Sequence, residues 1–113
     1  MTTDRELLEL AAKAAGLRVR TWDGHSGAMC AIDDDRHGLM WMPLTDDGDA
    51  LRLAVKLGLM IDIQNKITAT SVWTTDESGS ADFDAAHGKD PYAATRRAIV
   101  RAAAEAGAKE AGK

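Results

Sequence analysis

The residues whose types and spacing come nearest to a chemical site are acidic. Asp33-Asp34-Asp35-Arg36-His37-Gly38 matches the opening of an EF-hand calcium loop, with Asp33 at position 1, Asp35 at 3, His37 at 5 and Gly38 at the glycine turn. The match then fails. Position 12 is Leu44 in place of a bidentate Glu, imidazole is a poor ligand for a hard cation, and the flanks carry strand patterning where helices are required. A solvated strand connection held by Asx turns accounts for the segment without a metal. Thr45-Asp46-Asp47-Gly48-Asp49 is the second acidic cluster, and a helix start favours such residues at the N-cap and in the first turn. Capping is therefore expected there ahead of ligand binding. Asp33, Asp34 and Asp35 lie on one side of a short strand and Asp46, Asp47 and Asp49 on the other. The six are candidates for a surface that imitates phosphate toward a nucleic-acid-binding partner, set against the commoner outcome that charge runs face water.

Nucleophilic chemistry has little to draw on. Cys30 is the single cysteine and falls mid-strand, where a buried structural thiol is the common case, and Gly24-His25-Ser26-Gly27 lacks the G-x-S-x-G elbow. His25, His37 and His87 all fall in expected loops, with no i,i+4 spacing that would aim two rings at one metal, so each is expected to be exposed. A glycine-rich phosphate cradle with its lysine is absent from the sequence. The expectation is a protein without catalytic residues, cofactor or metal.

The tryptophans and arginines suggest contact instead. In a chain with only five aromatic residues, Trp22, Trp41 and Trp73 stand at strand ends. Trp22 shares its strand face with Arg18 and Arg20, and an aromatic beside guanidinium groups is the composition favoured at contact hot spots. The competing reading has a helix covering Trp22, with the arginine stems packed alongside. Arg96, Arg97 and Arg101 form a further basic group, read as a solvated helix face.

These residues must be positioned by one small domain of 113 residues, with a modest, mostly aliphatic and alanine-rich core. Its ordered core is expected over about residues 3–106, with 107–113 as a frayed tail. One cysteine excludes an internal disulfide, so packing alone must hold the fold. Net charge is −4 and unevenly spread: residues 23–90 hold thirteen acids against five bases, while 1–22 sum to +1 and 91–113 to +3. That distribution disfavours direct binding to duplex nucleic acid. No apolar run approaches membrane-spanning length and Thr3-Asp4-Arg5-Glu6 does not open an export signal, so a cytoplasmic location without membrane association is expected.

Along the chain, Thr3 and Glu6 form a capping box and Gly16 a left-handed stop, which predicts a helix over residues 4–15. Its apolar arc is Leu7, Leu8, Leu10, Ala11 and Ala14. Period-2 alternation over 17–22 and a run at 28–32 read as a hairpin, and 39–42 as a third strand that Pro43 ends. A second helix starts at Thr45 or Asp46 and closes at Gly58. Apolar residues cover all of it but a wedge of Asp49, Arg52 and Lys56, so it is expected to be the most buried helix. Strands over 59–64 and 67–74 flank an Asn65-Lys66 turn, with one apolar and one mixed face. Residues 75–90 read as irregular, and Asp90-Pro91 starts a third helix over 91–106 with Tyr92, Ile99, Ala102, Ala103 and Ala106 inward. The fold expected is α+β, three helices packed with one small antiparallel sheet of four to five strands, in the order α-β-β-(β)-α-β-β-α.

Three stretches resemble a known family: Trp41-Met42-Pro43-Leu44-Thr45-Asp46-Asp47-Gly48-Asp49-Ala50, the helix at Asp4-Arg5-Glu6-Leu7-Leu8, and the closing Asp90-Pro91-Tyr92-Ala93-Ala94-Thr95-Arg96-Arg97-Ala98-Ile99-Val100-Arg101-Ala102. Together they are similar to the phage ABA sandwich domain. The resemblance implies a sheet covered by helices and a phage or prophage origin. It brings no activity, cofactor or catalytic residue to any position here, and the mixed outer face of the 59–74 hairpin departs from a sheet covered on both sides.

Two functions fit this reading. One is an accessory protein acting by contact on a host protein or complex, for example as an inhibitor of a bacterial defence system such as CRISPR-Cas. The other is a small-molecule binding or sequestering module, its pocket made by a homodimer or by the 75–90 loop. Both share one expectation: the purified protein gives no mobility shift with generic duplex DNA at low micromolar concentration and physiological salt. A salt-sensitive shift would overturn it.

Overall fold

A computed structural model of the chain describes residues 3–17, 19–21, 29–31, 40–73 and 82–111. Its elements are α1 (Asp4–Ala14), β1 (Val19–Thr21), β2 (Met29–Ala31), β3 (Met40–Trp41), α2 (Asp47–Leu57), β4 (Met60–Gln64), β5 (Ala69–Trp73), β6 (Asp82–Ala86) and α3 (Pro91–Ala111). The fold is α+β. In place of one sheet of four to five strands, the described strands form two antiparallel sheets of three, ordered β1-β2-β3 and β4-β5-β6.

The helix boundaries follow local chemistry. The Thr3 side chain accepts the Glu6 N–H at 3.2 Å, Asp46 accepts that of Asp49 at 2.8 Å, and Asp90 accepts those of Tyr92 and Ala93 at 3.0 and 3.2 Å. α1 and α2 stop in the same way. Gly16 (φ 73°) and Gly58 (φ 65°) take the left-handed conformation, and the next residue donates its N–H five residues back, Leu17 to Ala12 and Leu59 to Ala54. Leu17 and Leu59 then turn onto the core, the apolar contact that accompanies this type of stop.

α3 is the central element, and here the structure corrects the expectation that α2 is the most buried helix. Ala98, Ile99, Val100, Ala102, Ala103 and Ala104 are all buried, which at 100° per residue spans about 240° of the helix circumference. Elements pack around it: α1 and α2 along its sides, β5 and β6 beneath. The helix also runs past 106, the end expected for it, to Ala111. Gly107 is buried against α1, where a Cβ would lie 2.0 Å from the Leu10 carbonyl oxygen. The face that α1 buries is small to match: Leu8, Ala11, Ala12 and Ala15. At the other end of the contact Arg97 bonds Asp4 at 3.1 Å, so the two helices run side by side in the same sense.

In the second sheet β5 is central, pairing Ile61 with Val72 and Ile63 with Thr70 on one side, and Val72 with Phe83 and Thr70 with Ala85 on the other. Thr70 and Val72 point under α3 and are fully buried. The opposite face carries Met60, Asp62, Gln64, Ser71, Trp73 and Asp84, the mixed face expected for the hairpin. β6 replaces part of the stretch read as irregular. Its Asp-Phe-Asp-Ala-Ala sequence has weak strand propensity, and pairing with β5 is what selects the strand. The β4–β5 turn is also longer than Asn65-Lys66, spanning residues 65–68 and placing Ile67 in the turn.

An exposed helical glycine gains up to ~1 kcal/mol when replaced by alanine. Gly107→Ala is expected to do the reverse, because its methyl meets α1 backbone and overpacking costs about 1–3 kcal/mol. A lowered urea midpoint at unchanged m-value is the expected result; a raised midpoint would show that the helices do not approach this closely.

Candidate functional site

Among the described residues, one side of β4 is left uncovered. α3 lies over β5 and β6, and α2 leans on α3, which opens a groove of about 450 Å³ whose walls come from α2, β4 and the first turns of α3. Leu51 of α2, Ile61 and Ile63 of β4, and Tyr92 and Ile99 of α3 give it an apolar lining. Several of these residues are open to solvent: Leu51 is 59% exposed, Ile63 54% and Tyr92 68%, and Val55, one turn beyond Leu51, is 73% exposed. Tyr92, expected in the core arc of the third helix, stands instead at the groove.

The reason is the way α2 is turned. Asp49, read from the sequence as part of the polar wedge, is buried, and its carboxylate accepts the Met42 N–H at 2.9 Å and an Arg52 N–H at 2.8 Å. Two charge-assisted bonds offset the desolvation of that carboxylate. The Met42 bond ties the first turn of α2 to the chain just after β3, and the buried arc then runs through Ala50, Leu53 and Ala54. Leu51 and Val55 are carried to the outside.

Arg96 closes one end of the groove. Its guanidinium donates to the Leu44 carbonyl at 2.9 Å and to Asp47, pinning α3 to the segment that leads into α2. The three arginines of α3 therefore do not form a purely solvated face: Arg96 is largely buried, Arg97 holds Asp4, and Arg101 donates to the Asp84 carbonyl.

A buried polar chain runs inward from the groove. Thr95 lines the groove, and its hydroxyl lies 2.9 Å from that of Thr70, which in turn lies 2.8 Å from His87 Nε2. His87, expected to be an exposed loop histidine, is buried. The strand that ends at Ala86 carries it inward, and its backbone N–H also donates to the Thr68 carbonyl at 2.7 Å. That bond braces Thr68, whose φ of 51° is strained for a β-branched residue. Thr70 is fully buried, so the chain fixes β5, the end of β6 and α3 to one another.

Of the acidic candidates, Asp46, Asp47 and Asp49 come together at the start of α2, as cap, as partner of Arg96, and as the buried anchor just described. Asp33, Asp34, Asp35, Arg18 and Trp22 lie outside the described residues, as do the side chain of Arg20, the Cys30 side chain, His25 and His37. Trp41 is in the core and Trp73 is half-buried. Among the described residues no group of three or more His, Cys, Asp or Glu side chains is placed to hold a metal ion, and no helix is long and apolar enough to cross a membrane. The groove itself went unread in the sequence. Its signal was an excess: α2 has apolar residues around more of its circumference than one packing face can bury.

Comparison with known proteins finds no matching family model, no matching curated protein and no matching solved structure.

Thr70→Val keeps the shape of the buried site and removes the hydroxyl between His87 and Thr95. A buried polar group left unpaired costs about 1–3 kcal/mol, so a stability loss of that order is expected in urea titration. Loss of less than ~0.5 kcal/mol would mean that water replaces the hydroxyl.

Proposed function

We propose that this chain is a binding protein without catalytic activity, and that the groove between α2, β4 and α3 is its contact surface. The observation that carries this reading is the exposure of Leu51, Ile63 and Tyr92 around one groove. Scattered exposed apolar residues are ordinary, whereas apolar residues gathered at one concave site are a mark of interaction surfaces. In the broader reading the protein is a phage- or prophage-encoded accessory factor that acts on a host protein or complex, a bacterial defence system such as CRISPR-Cas being one class of target. A phage origin is what the resemblance read in its 41–50, 4–8 and 90–102 stretches to the phage ABA sandwich domain would imply.

A second reading is favoured by the groove volume. About 450 Å³ lies within the range of small-molecule sites, and Thr95, Asn65 and Arg96 offer a few polar groups amid an apolar lining. The groove would then hold a small amphipathic ligand.

The double variant Leu51→Glu/Ile63→Glu changes two exposed side chains and is expected to keep the wild-type melting temperature within a few degrees. Capture from bacterial host lysate with wild-type and variant protein, read by native mass spectrometry, separates the readings. A stoichiometric protein partner held by wild type and lost by the variant is the expected result. A co-purifying small molecule lost by the variant establishes the second reading. Equal capture by both proteins overturns the groove as the contact surface.

A further inference from the structure

We infer that the groove takes an extended peptide segment added as a strand to the edge of β4 that faces away from β5, and that this segment alternates apolar and basic residues. The inference rests on the reading of the groove as a contact surface and names its occupant. β4 pairs with β5 alone among the described residues, so alternate residues of Met60–Gln64 direct their N–H and C=O groups away from the sheet. An unpaired strand edge is a template for another strand, and a helix laid in the groove would leave its backbone groups unmet. β6 is the other edge of this sheet, but α3 packs on it; β4 is the edge that opens onto the groove.

Strand alternation then dictates the side chains. An added strand sends every second residue to the face shared by Ile61 and Ile63, into the apolar groove beside Leu51. The residues between them fall on the opposite face, beside Asp62. Two carboxylates stand on that face in one cross-strand row, Asp62, Ser71 and Asp84. Ser71 donates to Asp84 at 2.6 Å and the Gln64 amide to Asp62 at 2.6 Å, and both donors are neutral side chains. Lysine or arginine opposite Asp62 gains a cross-strand ion pair, and glutamate there is repelled. The same charge opposes self-pairing: two β4 strands in fully overlapped antiparallel register place Asp62 against its own copy.

The test uses the full chain with two acetylated, amidated octapeptides, one alternating valine and lysine and the other valine and glutamate. The valine–lysine peptide is expected to bind saturably and slow hydrogen exchange at amides within residues 60–64, and the valine–glutamate peptide to bind about tenfold more weakly. Asp62→Lys is expected to invert that preference, and Asp62→Asn, which keeps the side-chain shape should the first variant fail to fold, to abolish most of it. Failure of the valine–lysine peptide to bind, or a preference unchanged in both Asp62 variants, overturns the proposal. Binding that is lost in Leu51→Glu/Ile63→Glu but leaves the β4 amides unprotected also overturns strand addition, while the groove stands as the contact surface. Protection of β4 that survives that double variant places the occupant on the edge without the groove, and overturns both.

Discussion

The close approach of α3 to α1 sets the position of nearly everything else. Where Gly107 meets the Leu10 carbonyl there is no space for a side chain, and the buried face of α1 beyond it is built from Ala11, Ala12 and Ala15 around Leu8. Small residues bring two helices near enough for dispersion to act over their backbones, which compensates for the modest area that each alanine removes from water. With α3 fixed in this way, its other sides become the surface on which β5, β6 and α2 are assembled. Few bulky core residues are needed. Trp41, Leu8, Leu53, Ile99, Val72 and Val100 supply most of the large buried side chains among the described residues.

What was legible in the sequence was the punctuation. Thr3, Asp46 and Asp90 cap the helices they precede, Gly16 and Gly58 end them, and the 60–73 hairpin follows its alternation, because each of these depends on chemistry within a few residues. Burial was less legible, because it depends on what arrives from elsewhere. A leucine-rich α2 reads as the core helix and an alanine-rich α3 as a lesser one, yet proximity reverses the order: α3 is surrounded, and α2 presents Leu51 and Val55 outward. Asp49 misleads for the same reason, since the Met42 N–H that donates to its buried carboxylate lies seven residues away. β6 and the burial of His87 belong to the same class. A strand of Asp, Phe and Ala has little preference of its own, and its ladder to β5, with the His87–Thr70–Thr95 chain, exists only once the sheet meets α3.

The candidate site is thus a by-product of how the layers meet. A helix lying over β5 and β6 cannot also lie over β4, and the helix that might have done so is held by Asp49 and Arg96 against the segment after β3. The groove exists because those two polar anchors position α2 where its leucine and valine have nothing beneath them. Polar contacts here decide where apolar surface is left over.

The pairing of α1 with α3 also has a consequence in time. Asp4 and Arg97 are 93 residues apart, so the helix made first has its packing partner made nearly a whole domain later. An isolated eleven-residue helix is marginal in water, and α1 leaves its small-residue face unmatched until α3 exists. During synthesis α1 must therefore wait, its apolar stripe open to chaperones or to mispairing, until α3 has been made and packs on it.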